Sequence, residues 1–179
     1  MMLTPFLLAL TLPTPAFAAS LAGVTLPDTA TVGGQTLALN GLGLREKFYI
    51  DVYVGGLYLQ HPTHDGGAAA AANEPKRIVM HFVYKVSKEQ MSDSFKEGFA
   101  ASPGATADQV QQVFAAMPET ISPGQEVVID YVPGVGTSFV IAGKTAVTLP
   151  GEAFMKALFG IYLGAKPPSA DLKRGMLGV

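Results

Sequence analysis

Gly41-Leu42-Gly43-Leu44-Arg45, followed at once by Phe48-Tyr49-Ile50-Asp51-Val52-Tyr53-Val54-Gly55-Gly56-Leu57-Tyr58-Leu59-Gln60, is the stretch that decides the fold. The second run is rich in Tyr, Val and Ile, which suit a pleated and half-buried surface. Side chains alternate across a strand, so its faces are read by parity. Phe48, Ile50, Val52, Val54 and Tyr58 share one face, and Tyr49, Asp51, Tyr53, Leu57 and Leu59 the other. A tight turn is expected near Arg45-Glu46-Lys47, joining two antiparallel strands. Glycines at i and i+2 leave one face of the first strand bare, so something bulky can approach the sheet there. Arg45 has the same parity as Gly41 and Gly43, and a guanidinium beside a bare apolar face suits a carboxylate or enolate oxygen. Tyr53, one strand over, is placed to donate to the same anion. Simpler roles are a salt bridge from Arg45 to Glu46 or Asp51, and a core position for Tyr53.

Outward from this hairpin, the upstream chain reads as short strands at 24–26, 31–32 and 36–44, separated by Pro27-Asp28 and Gly33-Gly34. Downstream, 61–75 reads as a mobile surface loop, with Pro, Gly, Asp and an Ala run. A strand over 77–85 follows, with Ile78, Met80, Phe82 and Tyr84 on one face. The period then changes. Ser87-Lys88-Glu89-Gln90 is a capping box, and Met91, Phe95 and Phe99 line one face of the helix behind it. A second helix is expected from about 107 to 117. Strands return at 126–132, 137–141 and 145–149, and a third helix covers about 151–162. An amphipathic tail runs over 169–177. Strands and helices are segregated, so the class is α+β: an antiparallel sheet with helices on one face.

The first eighteen residues read as a cleaved export signal. Phe6 to Leu12 is a short apolar run, Pro13 and Pro15 break it, and Ala16-Phe17-Ala18 offers small residues where a peptidase reads. The run is too short for a bilayer, which needs about 20 apolar residues. The remainder, 19–179, suits one domain with a large core and no stable membrane anchor after cleavage, placed in the periplasm. Hydrophobic residues are 49% and charged residues 15% of the chain, which argues for a large interior or an apolar cavity. The net charge of −2 and the lack of a basic patch disfavour nucleic acid as a partner. Absence of Cys removes disulfides, thiolate catalysis and Cys-ligated zinc.

No Gly-x-Gly-x-x-Gly opens a helix after a strand, and there is no Walker loop, HExxH or nucleophile elbow. No cofactor and no metal are expected. His61 and His64, with Asp65, are either metal ligands or residues of a solvated loop. His81 lies on the face opposite Met80 and Phe82. It either lines a pocket, as a candidate for proton transfer near neutral pH, or is a hydrogen-bonded surface residue.

Gly41-Leu42-Gly43-Leu44-Arg45 with Val52-Tyr53-Val54-Gly55-Gly56-Leu57-Tyr58-Leu59 resembles the chalcone isomerase family, in particular its exported bacterial chalcone isomerase-like members. The resemblance extends over most of 19–179, with Ala157-Leu158-Phe159-Gly160 near a segment bordering the family's cleft. It implies an open-faced β-sandwich, a large antiparallel sheet covered by a layer of helices with a cleft between. It also implies two functions. Isomerase members stabilise an enolate with an Arg, aided by a Thr and a Tyr; fatty-acid-binding members hold a carboxylate with an Arg and a Tyr. Arg45 matches the Arg of both. Tyr53 stands at the isomerase Thr position, which is the fatty-acid-binder's choice. Met91 stands at the isomerase Tyr position and cannot donate a hydrogen bond. The expected ligand is a fatty acid, another small apolar acid or a phenolic compound. The expected ligand-binding residues are Arg45, Tyr53, Gly41, Gly43, Met91 and Phe95. Arg45 and His81 are the catalytic candidates if the protein is an intramolecular lyase.

Overall fold

The computed structural model describes residues 18–179; the export signal expected at 1–18 lies outside these apart from Ala18. Eleven strands and five helices follow in the order β1 (Ala18–Leu21), β2 (Val24–Pro27), β3 (Thr29–Val32), β4 (Gln35–Lys47), β5 (Ile50–Leu59), α1 (Gly66–Ala71), β6 (Lys76–Phe82), β7 (Val86–Ser87), α2 (Lys88–Ala101), α3 (Ala107–Ala116), β8 (Thr120–Ile121), β9 (Glu126–Val132), β10 (Gly136–Ile141), β11 (Lys144–Leu149), α4 (Glu152–Leu163) and α5 (Ala170–Leu177). Seven strands form one antiparallel sheet in the order β11-β10-β9-β6-β5-β4-β3. This is the α+β arrangement expected.

From residue 53 on, parity sorts the two faces as the sequence requires; Val52, expected with Val54 and Tyr58, packs instead against the core that holds Tyr53. Tyr53, Leu57, Leu59, Ile78, Met80 and Phe82 join the core beneath the helices. Val54, Tyr58, Val79 and Leu37 join a smaller cluster on the other face. That face is partly roofed by the β1–β2 hairpin, whose Leu26 lies in the same cluster and whose Pro27 carbonyl accepts from the Tyr58 hydroxyl at 2.8 Å. The helices cover only one face, so the sandwich is open.

Helix α4 is buried on nearly every side, with Phe154, Met155, Leu158, Phe159, Ile161, Tyr162 and Leu163 all inside. A helix buried over most of its surface belongs in the middle of a layer, and α4 sits there, against α2 on one flank and α1 on the other, with the Glu152–Lys156 pair left on its exposed edge. Gly98 of α2 lets the α2–α4 pair approach closely: a Cβ there would lie 2.6 Å from Ile161 Cγ2. Both α2 and α3 begin with full capping boxes, Ser87 with Gln90 and Thr106 with Gln109.

Two local expectations are corrected. The turn after β4 is not at Arg45-Glu46-Lys47. Strand β4 runs on to Lys47, which pairs with Ile50, and Phe48-Tyr49 form a two-residue loop. Both have positive φ, +51° and +64°, the pattern of a type I′ turn, whose twist matches that of the strands it joins. A register shift between Arg45 and Glu46 absorbs the change of length. Second, 61–75 is not simply a mobile loop. It contains α1, capped by the Asp65 carboxylate accepting from the Ala68 N–H at 3.0 Å. Ala69 and Ala70 are buried against the core. Ala is the best helix former, and the packing on α4 supplies what so short a helix lacks by itself.

Candidate functional site

Arg45 and Tyr53 are direct cross-strand partners on β4 and β5. Residues opposite one another across a ladder project to the same side, so the phenol and the guanidinium face the helix layer together. At this end of the sheet the layer does not close, and a cavity of about 410 Å³ remains. Arg45 and Tyr53 line it, with Phe82 from β6, Met91 and Phe95 from α2, and Tyr162 from α4. The residues at 48, 50 and 84 stand at its mouth.

Arg45 is half-buried. Its Nη1 donates to the Glu46 backbone carbonyl at 2.7 Å, and no carboxylate among the described residues pairs with it. The expected alternatives, salt bridges to Glu46 or Asp51, are therefore not made, and most of the guanidinium's five donors remain for another acceptor. Tyr53 is buried, and its ring packs tilted against Phe82 at 5.2 Å between centroids. Its hydroxyl has no hydrogen-bond partner among the described residues, although it is not sealed from the cavity. Burial pushes the Tyr53 phenol well above its ordinary range, and the Arg45 charge opposes this more weakly. Tyr53 thus stays a neutral donor. Tyr162, also raised by burial, donates to Met80 Sδ at 3.5 Å. The arrangement offers an apolar slot with two adjacent donors at one edge, which is what an anionic head on an apolar body requires.

Met91 and Phe95 are buried and line this cavity. Gly41 and Gly43 do not, and here the expectation is corrected. A Cβ on Gly43 would collide with the Leu172 carbonyl, and one on Gly41 with the Gly175 carbonyl. The bulky object on the bare glycine face is α5, with Gly175 opening the same crossing from the helix side. His81 is likewise outside. It points to the other face, where its Nδ1 lies 2.9 Å from Glu126 Oε1. His61 and His64 serve separate structural contacts, to Glu74 Oε2 at 2.7 Å and to the Leu177 carbonyl at 2.5 Å. Tyr162 is one of the lining residues not expected from the sequence, with Phe82 and Ile161. In a helix buried over most of its surface Tyr162 carries no clear periodic signal, and only the packing of α4 aims it into the cavity.

No curated protein sequence matches the chain. Among solved structures, the crystal structure of a fatty-acid binding protein from Arabidopsis thaliana superposes with a TM-score of 0.73 at 17% identity, over 90% of this chain and 96% of that one. Identity at that level shows a shared fold. A family model described as chalcone isomerase-like matches residues 18–178, nearly the whole described chain, and the chain therefore belongs to the chalcone isomerase-like family.

Proposed function

We propose that this protein binds a fatty acid or another small apolar carboxylate, its tail between sheet and helices and its carboxylate on Arg45 and Tyr53. The observation that carries this is the pair of adjacent donors at the edge of an open apolar cavity, a guanidinium that spends one N–H on the Glu46 carbonyl and meets no carboxylate, and a phenol with no acceptor among the described residues. Its volume lies in the range of small-molecule sites, roughly 300–1,000 Å³. Each buried CH₂ contributes about 0.8 kcal/mol, so acids of about eight carbons or more bind usefully. The Arabidopsis neighbour, named as a fatty-acid binding protein, is consistent with this use of the fold. A filled cleft is disfavoured by the open cavity, and an isomerase by the position of His81 on the opposite face.

Native mass spectrometry after mild purification tests the proposal. A mass increment equal to a fatty acid, lost on delipidation and restored by added acid, is expected. No increment, together with no calorimetric binding of added C8–C18 acids, overturns it.

We propose further that the protein acts outside the cytoplasm, in a bacterial periplasm. The support is the 6–12 apolar run and Ala16-Phe17-Ala18. The amino-terminal sequence of protein recovered from the cell envelope checks this. A start at Ala19 is expected, and an intact Met1 in the cytosolic fraction rules it out.

A further inference from the structure

The cavity opens at the tip of the β4–β5 hairpin, and that tip is unusually apolar. Phe48 is 84% exposed and Tyr49 96%, with Ile50 and Tyr84 exposed beside them. These are four of the six large hydrophobic residues that the described chain leaves exposed. Both turn residues hold positive φ, where Asn and Gly are the favoured occupants and aromatic side chains are strained. Local folding gains nothing from Phe-Tyr at this turn, so the pair needs another reason to be there.

We propose that the Phe48–Tyr49 tip docks the mouth of the cavity reversibly onto a lipid bilayer surface. The feature is a protrusion, shaped to enter a soft layer. Aromatic rings with apolar bodies and a polar tip settle at the bilayer–water interface. Lys47 and Lys85 flank them on long stems that reach the headgroup level while the rings enter, and Lys47 Nζ already lies 5.8 Å from the centroid of the Phe48 ring. A second copy of the chain is a poorer occupant. Two aromatic side chains bury on the order of 150–250 Å² each, about 300–500 Å² per copy, which is short of the roughly 800 Å² per partner of a standard protein interface. Charge around the tip carries no cationic excess: Arg45, Lys47 and Lys85 stand among Glu46, Asp51, Asp93 and Glu97, while Lys88 is spent on Glu119 at 3.1 Å. Docking is therefore driven by ring insertion, is weak, and depends little on lipid charge. Phe48, Ile50 and Tyr84 also line the cavity, so the docked face is continuous with the slot into which an apolar tail would pass. That last link rests on the carboxylate-binding reading; the docking itself does not.

The chain contains no Trp, so Tyr49→Trp supplies a single reporter at a position that does not line the cavity. With vesicles of phosphatidylcholine, and equally with added phosphatidylglycerol, its emission should shift to the blue and be quenched by brominated acyl chains. The protein should also float with the vesicles in a density gradient. Emission that stays that of a hydrated indole, with no flotation, overturns the proposal. So does a blue shift that needs no lipid and grows with protein concentration, which reports self-association. Tyr49→Gly suits the +64° backbone and should melt no lower than the parent, yet lose about fivefold or more in vesicle binding. Unchanged vesicle binding by this variant also overturns docking. Calorimetry with a soluble C8–C10 acid separates the two readings. Acid binding without vesicle binding defeats docking alone, and vesicle binding without acid binding defeats the cavity reading alone.

Discussion

Along β4, Gly41 and Gly43 lie under α5, whereas Arg45, the next residue of the same parity, faces an open cavity. The residue types alone present these positions as one recognition surface. The fold divides it within a few residues. Where the glycines stand, main chain touches main chain, and the surface is consumed in holding the carboxy-terminal helix. Where Arg45 and Tyr53 stand, no helix backbone comes down on the sheet, and the donors are left over. A bare sheet face marks close approach, and what approaches is decided elsewhere in the chain, here by Gly175.

The division is most directly broken at Gly43. Gly43→Val places a branched side chain against the Leu172 carbonyl, and backbone in that position cannot move without lifting α5. Overpacking of this kind costs about 3 kcal/mol or more, read by urea denaturation. If Gly43→Val kept its stability and lost only ligand affinity, the glycine face would be part of the site after all. The opposite behaviour is expected at Arg45. Its recorded bond is to the adjacent carbonyl, so Arg45→Ala should change stability by less than about 0.5 kcal/mol. It should weaken binding of a carboxylate by about 2–3 kcal/mol, roughly 30- to 150-fold, because a buried anion loses its charged partner. Isothermal titration with decanoate measures this.

Lys76 sharpens the contrast, being a second cation on the helix-facing side of the sheet. It is fully buried, donates to the Ala69 and Ala70 carbonyls at 2.6 and 3.3 Å, and lies 5.1 Å from the centre of the Phe159 ring. It closes the end of α1 and has nothing to offer a ligand. Burial lowers it to about 8, and Lys156 acts in the same direction, against Glu74 and Glu152. The folded state therefore releases a proton near pH 8 that the unfolded chain holds until about 10.5. Over that window the unfolded state binds more protons, so stability rises with pH. The expected gain is about 2 kcal/mol between neutral pH and roughly pH 9.5. Lys76→Met should flatten the rise in a pH series of urea melts, while losing about 1–3 kcal/mol at neutral pH from the two stranded carbonyls.

Much of this was legible in the residues, and what was not has identifiable causes. Strand parity assigned Tyr53, Leu57 and Leu59 to one face and Val54 and Tyr58 to the other, because one-residue slips would expose the whole set. The box at Ser87 and Gln90 fixed the start of α2, since capping is local chemistry. The turn at Phe48-Tyr49 was hidden because both are good strand residues, and only the positive φ values reveal them. Helix α1 was hidden because its stability comes from α4, about eighty residues away. The parity of His81 was read correctly, opposite Met80 and Phe82, but its pairing with Glu126 depends on β6 and β9 meeting across the sheet. Arg45 and Tyr53 came together because a hairpin is the most local of long contacts, and the glycines were misassigned because their partner lies at the far end of the chain.

The smallest effect belongs to the Tyr53 hydroxyl. No protein group accepts from it among the described residues, so Tyr53→Phe removes no hydrogen bond from the empty protein, and stability near neutral pH should stay within about 0.5 kcal/mol. A bound carboxylate changes the account. A neutral phenol donating to an anion contributes about 1–2 kcal/mol, so Tyr53→Phe should weaken decanoate binding roughly 5- to 30-fold, less than Arg45→Ala. The pH dependence separates this from a packing defect. Burial holds the folded phenol above its ordinary value of 10.0, so the unfolded chain ionises first and stability falls as pH rises past that value. Tyr58, at about 12, and Tyr162 titrate in the same direction, so Tyr53→Phe should reduce the alkaline fall without abolishing it. Equal affinities for parent and variant would mean that Tyr53 is a core aromatic and that Arg45 holds the head group alone, whereas an unchanged alkaline fall would mean that its hydroxyl is not buried in the folded state.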